Sequence, residues 1–193
     1  MLNIARLPLR GVIAIAVIAA CSWILNATVP SGWYVAGSKP AEYEAGVDTD
    51  VQYNNHPSAF LKSRKPTADG FGTLMQDFRA DKYGGQRVRF SAYVKTEKVQ
   101  DWAGLWMRVD KNSASVSFDN MADRPLKGTT DWQNYQVVLD VPQGATGIYF
   151  GILLTGPGAV WISSAKFEVV GSEVSTTGAH SHREGPTNLD FKE

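Results

Sequence analysis

Trp106 and Arg108 stand two apart in the run 104–110 (GLWMRVD). Leu105, Met107 and Val109 alternate with them, so a period of two puts the apolar three on one face and Trp106 and Arg108 on the other. The run 86–95 (QRVRFSAYVK) repeats the pattern, with Val88, Phe90, Ala92 and Val94 on one face and Arg89 and Tyr93 on the other. An aromatic ring beside a bidentate donor suits a sugar: the ring stacks on the apolar face of the pyranose, and the guanidinium bonds hydroxyls or a carboxylate. Gln76, with Asp119 and Asn120 at a rim near Asp123 and Arg124, completes a candidate ligand-binding set of Gln76, Arg89, Tyr93, Trp106, Arg108, Asp119 and Asn120. The competing reading is structural: Trp106 packs under a loop, Arg108 pairs with Asp110 or Asp119, and Asp119 and Asn120 serve as ordinary turn residues.

Other chemistry has thinner support. Glu44, Asp48 and Asp50 are oxygen donors of the kind calcium takes, against solvated loop carboxylates as the plainer account. His180 and His182 are metal-ligand types in a polar tail, where solvated imidazoles are the ordinary case. Beyond a candidate calcium ion at these carboxylates, no cofactor is expected. Enzyme chemistry needs a nucleophile, a base and an orienting group together, and 31–170 offers a single histidine, His56, beside Pro57. A carboxylate pair for glycoside hydrolysis has no sequence signature, so hydrolase stands third among the functional readings and an enzyme is not expected.

The elements that must position these residues are strands. The stretch 86–110 reads as two strands joined by a polar turn at 96–101. Further strands are expected at 32–37, 43–53, 58–64, 71–79, 114–118, 132–141, 147–154 and 159–170. Turns fall at 38–40, 54–57, 84–85, 142–146 and 156–158, with loops at 65–70 and 119–131. In 71–79, Leu74, Gln76 and Phe78 share one face, and Thr73, Met75 and Asp77 the other. Val116 and Phe118 are expected to point inward. Ile148, Phe150 and Ile152 share a face opposite Tyr149 and Leu153. No stretch after the first thirty residues keeps a 3.6-residue period, so the domain is expected to be all-β, two stacked sheets with almost no helix.

Bulk composition narrows the partners. Lys plus Arg and Asp plus Glu each number 19 in 193 residues, and that zero net charge argues against a nucleic-acid partner held through phosphates. The one cysteine, Cys21, leaves the domain without a disulfide or thiolate metal site. Arg6 and Arg10 precede the apolar run 11–25, which is shorter than the roughly 20 residues that span a bilayer, so the segment reads as an export signal or anchor helix. Ile18-Ala19-Ala20-Cys21 resembles a bacterial lipobox, which implies lipidation at Cys21. Cleavage near Ala27 and an uncleaved anchor are the alternatives. The organisation expected is 1–30 signal peptide or membrane anchor, 31–170 β-sandwich, and 171–193 polar tail. Within the tail, 175–186 is expected to be disordered and 188–191 to dock back as a short strand. Location is expected at the cell envelope, periplasmic or anchored through the N-terminus.

Thr130-Asp131-Trp132-Gln133-Asn134-Tyr135, then Tyr149-Phe150-Gly151 and Val160-Trp161-Ile162, resemble the galactose-binding-like jelly rolls. The chain is similar in particular to bacterial carbohydrate-binding modules, over residues 32–170. The resemblance implies a jelly-roll β-sandwich that binds a carbohydrate or similar polar small ligand without catalysis. Ser163-Ser164 stand where those modules carry acidic residues, which departs from a family calcium site. The combination of 32–48 (GWYVAGSKPAEYEAGVD), 70–78 (GFGTLMQDF) and 104–110 (GLWMRVD) also resembles an uncharacterised bacterial group, some of whose members carry transcription-regulator names. No helix-turn-helix pattern occurs here, so such a name does not describe this chain's chemistry. The leading expectation is an exported, non-catalytic β-sandwich that binds a carbohydrate or similar polar ligand at the cell envelope. A structural or protein-interaction domain of the envelope is the alternative.

Overall fold

The computed structural model describes residues 28–178 and 189–190. The N-terminal signal or anchor with Cys21, and the tail histidines His180 and His182, lie outside the described residues. Among the described residues nine strands form: β1 (Tyr34–Gly37), β2 (Tyr43–Tyr53), β3 (His56–Ser63), β4 (Phe71–Arg79), β5 (Gln86–Lys111), β6 (Ala114–Asp119), β7 (Leu126–Val141), β8 (Gly147–Thr155) and β9 (Ala159–Val170). Among the described residues the only helical element is a 3-10 turn at Pro40–Glu42.

β5 joins the two layers. Its first part pairs with β7 and β9, and its second part with β8 and β6. One layer therefore runs β2–β3–β9–β5–β7 and the other β1–β4–β8–β5–β6. The expected turn at 96–101 does not form, and β5 is one strand of 26 residues. Register shifts between Val94 and Ala103, with Lys98 at φ 51°, bend the strand from one layer into the other. Thr96 and Val99 stay buried through the bend while Glu97, Lys98, Gln100 and Asp101 face water, which is why the segment looks like a polar turn in sequence.

The two inner faces meet as the alternation requires. Val88, Phe90, Val94, Leu105, Met107 and Val109 of β5 are fully or almost fully buried against Val137, Ile148, Ile152, Leu154 and Val160. Burying each such side chain contributes on the order of 1.5–3 kcal/mol. Phe150 sits among Trp33, Phe78, Phe90 and Phe167, with ring centroids 4.8–5.9 Å away and three of the four near edge-on.

Four other expectations change. Asn54 and Asn55, both at positive φ, make the β2–β3 turn, but His56 and Pro57 already belong to β3. Val116 and Phe118 point outward and are exposed, because β6 pairs only with β5 and its inner side is occupied by buried Asp119 rather than by an apolar row. The polar stretch 119–131 is a loop only to Pro125, since β7 starts at Leu126, opposite Ala103. Leu189 and Asp190 form a turn rather than part of a strand.

The start of the tail is tied to the domain. Arg87 Nη1 donates to the carbonyls of Ser172 (3.0 Å) and Val174 (2.6 Å). Thr177 exchanges two bonds with Val138 of β7, and its hydroxyl donates to Asp119.

Candidate functional site

Because β5 crosses between layers, its two outward aromatic–arginine pairs end on different sheets. Trp106 and Arg108 lie on the outer face of the β1–β4–β8–β5–β6 layer. Arg89 and Tyr93 lie on the outer face of the other. The candidate ligand set is thus split: Trp106, Arg108 and Asn120 lie together, Arg89 and Tyr93 lie apart from them, and Gln76 and Asp119 join neither group.

On the first face, Arg108 stands opposite Tyr149 on β8 and Phe118 on β6, and Trp106 stands opposite Gly151. Beyond β8, Met75 pairs with Gly151 and with Tyr34. A groove of about 600 Å³ runs across these strands. Its sides are Tyr34, Phe71, Trp102, Phe118 and Tyr149. Its floor is Thr73, Met75, Trp106 and Leu153, with Arg108 and Asn120 as polar groups. The Trp106 indole reaches across β8, above the bare backbone of Gly151, and its Nε1–H donates to Thr73 Oγ1 at 2.7 Å. Thr73 passes its own proton to Ile152 O at 2.9 Å. Trp106 is 8 % exposed, so it is a fixed floor plate and not a free stacking ring.

Arg108 is held on two sides. Its Nη2 donates to Asp110 Oδ2 at 2.9 Å, and the guanidinium lies 4.5 Å from the Tyr149 ring centre. Nε and Asp110 Oδ1 are also 2.9 Å apart, but the pair is misaligned for a hydrogen bond and acts through charge alone. The structural pairing of Arg108 with Asp110 is thus present, and it presents the remaining edge of the guanidinium to the groove. At the far rim, Tyr34 donates its phenol proton to Asp77 at 2.6 Å. Burial first, and then this bond, push the Tyr34 hydroxyl up to about 12, so it remains a donor throughout the physiological range.

Asp119 is buried with 2 % of its side chain exposed and is no rim ligand. It takes both Nη groups of Arg124 at 2.5 and 3.2 Å, the Met121 N–H at 2.8 Å and the Thr177 hydroxyl. Asn120, beside it, lines the groove. Gln76 keeps the phase of Leu74 and Phe78, pairs with the inward-facing Phe150, and stays off the groove. Arg89 and Tyr93 line a separate cleft with Tyr53 and Lys166.

The three carboxylates considered for calcium do not share a centre. Among the described residues no group of three or more His, Cys, Asp or Glu gathers as a metal site. Glu44 pairs with Arg64. Asp48 accepts from the Val51 and Asp50 N–H groups at 3.0 Å and from the Trp161 indole at 2.9 Å, with Lys62 Nζ 3.7 Å away. Burial alone would raise its pKa. The bonds from Val51, Trp161 and Asp50, with Lys62, outweigh that and hold the carboxyl below its ordinary 3.8. A depressed carboxylate stabilises the fold above the unfolded-state pKa, and that stabilisation fades as pH falls through the native value. Asp48→Ala is therefore expected to cost about 2 kcal/mol at neutral pH. The gap to wild type should close in urea melts below the ordinary carboxylate range. Ser163 donates to Pro57 O at 3.1 Å, and Ser164 sits at φ 53°.

Sequence reading missed Tyr34, Phe71, Trp102 and Tyr149 as groove residues. The phase of Thr73, Met75, Tyr149 and Leu153 was visible, but which strands adjoin β5 was not.

The architecture is a jelly-roll β-sandwich. It is similar to the xylan-binding CBM22-1 domain of Paenibacillus barcinonensis Xyn10C, with TM-score 0.54 and 15% identity over 76% of this chain and 91% of that one. The enzymatically active domain of bacteriophage CBA120 tailspike protein 4 shares the fold at TM-score 0.56 and 17% identity, over 72% of this chain and 20% of that one. In sequence, the chain is 44% identical over 167 residues to an uncharacterized HTH-type transcriptional regulator, YbfP, of Bacillus subtilis (strain 168). The match takes in 84% of this chain and spans 57% of that relative's length. No family model matches the chain.

Proposed function

We propose that this chain is an exported, non-catalytic β-sandwich module that binds a carbohydrate at the cell envelope, in the groove over Trp106. The observation that carries this reading is the clustering of exposed apolar surface. Tyr34, Phe71 and Phe118 are each about 40 % exposed and all border one groove. An apolar recess of this size with a few fixed polar groups is the usual form of a small-ligand site. Tyr34, Phe71, Trp102 and Tyr149 offer ring faces for sugars. Arg108 and Asn120 offer bonds to hydroxyls. Asp110 offsets the charge of Arg108, which favours a neutral glycan. The fold shared with a xylan-binding domain makes neutral plant polysaccharides the first ligands to try. The basic and apolar N-terminal residues support export.

Affinity electrophoresis through xylan and other neutral polysaccharides, with a glycan array, tests this. Wild type should be retarded, and Tyr149→Ala and Arg108→Ala should each weaken binding about tenfold or more. No binding to any glycan on the array would overturn the reading. A protein-interaction role is the second reading. It is favoured by the exposed edge strand β6, which carries Val116 at 37 % and Phe118 at 44 % exposure. A defined protein partner lost on Val116→Lys, with Tyr149→Ala harmless, would favour that role.

A further inference from the structure

We propose a second ligand site on the opposite sheet, a polar trough built on Ser91 that takes acidic, carboxylate-bearing sugars. The trough is a cleft of about 490 Å³ on the outer face of the β9–β5–β7 strands. Ser91 is its floor, and its register partners on either side are Lys166 on β9 and Gln136 on β7. Neighbouring strands lie about 4.8 Å apart, so these two side chains rise roughly 10 Å from one another across a small residue. Along β5, Arg89 and Tyr93 close the ends, roughly 13 Å apart at strand rise.

Each wall has a chemical part. Tyr93 stacks on Tyr53 with ring centres 3.9 Å apart and planes 21° from parallel, and Trp132 lies 5.7 Å from Tyr53. Such an aromatic bank offers a sugar ring its faces. At the other end, Arg89 Nε and Nη2 both bind one oxygen of Glu168, Oε1, at 3.1 and 2.9 Å. The end-on pairing leaves Oε2 directed away from the guanidinium as an acceptor for hydroxyls. Asn134 and Gln136 add amide groups to the β7 side.

Charge separates this trough from the groove. Lining cations Arg89 and Lys166 face one lining carboxylate, Glu168, so the trough carries an excess of one positive charge before His56 is counted. The Lys166 ammonium forms no ion pair or side-chain hydrogen bond with any described residue. A carboxylate on the ligand supplies that partner, while the aromatic bank and the amides select a sugar over a bare anion. In the groove, by contrast, Asp110 already offsets Arg108. The two faces thus sort ligands by charge, and the second site stands whether or not the groove binds a neutral glycan.

Calorimetric titration of the folded protein with tetragalacturonate and tetraglucuronate tests this directly. Wild type should bind at least one, less tightly as salt rises. Lys166→Ala and Tyr53→Ala, both at the surface, should each weaken binding about tenfold, and Arg108→Ala should leave it unchanged. No heat from either oligouronate at millimolar concentration would overturn the proposal. So would binding that survives both trough variants, or binding that Arg108→Ala abolishes. Failure of neutral glycans to bind would bear on the groove alone.

Discussion

Asp119→Ala is expected to lower the unfolding free energy by about 3 kcal/mol, among the largest losses for any single side chain here. The carboxylate has 2 % of its side chain exposed and serves three partners at once: Arg124, the Met121 N–H and the Thr177 hydroxyl. Removing it strands the buried Met121 N–H and leaves the half-buried guanidinium with only Asp123 and the Gln136 carbonyl. Arg124 keeps 33 % of its side chain in water, which holds the cost to the lower end of the range for broken buried pairs. Asp119→Asn keeps the shape and the Met121 bond, so it should lose less. Urea denaturation measures both. Asp119→Ala should also speed proteolysis modestly around Thr177, which loses its hydroxyl's bond to Asp119 but keeps its two bonds to Val138, while the Arg87 bonds to Ser172 and Val174 remain.

Gly151→Ala should cost a similar amount, about 3 kcal/mol, through overpacking. A Cβ there would lie 2.2 Å from Leu74 O and 2.8 Å from Met75 Cα, both backbone atoms of the adjoining strand. β4 cannot retreat without breaking its ladder with β8, which runs from Phe71 opposite Thr155 to Arg79 opposite Gly147. The substitution also lifts the Trp106 indole off the strand it crosses. A fall in Tm should therefore come with a changed near-ultraviolet dichroism from tryptophan. A variant that melts with wild type would mean that the close approach of β4 and β8 is not obligatory.

The strands were legible because one face of each is buried and the other is not, and period two reports that difference directly. Leu105, Met107 and Val109 against Trp106 and Arg108 is the clearest instance. What alternation cannot report is pairing. It gave no sign that 86–111 is one strand serving two sheets, because the bend at 96–101 exposes the same polar residues that a turn would. The placing of Trp106 and Arg108 apart from Arg89 and Tyr93 follows from that bend. Asp119 misleads for another reason: an acidic residue at the head of the run 119–124 (DNMADR) reads as solvated, and its partners Arg124 and Thr177 are brought to it only by the loop and the tail. Phe118 misleads because an edge strand need not bury its apolar side, and here that exposure marks the groove. The helix-turn-helix name carried by a relative has no counterpart among the described residues, whose only helical element is three residues long.

The most direct test of the account maps where a neutral glycan lands. With the strongest polysaccharide or oligosaccharide from the array titrated into ¹⁵N-labelled protein, the indole N–H signals of Trp102 and Trp106 and the amides around Arg108 and Tyr149 should shift together. Trp132, on the opposite sheet, should stay in place. Shifts confined to Trp132 and the Tyr53–Tyr93 bank, or no shifts at saturating sugar, would contradict the assignment of the groove as the carbohydrate site.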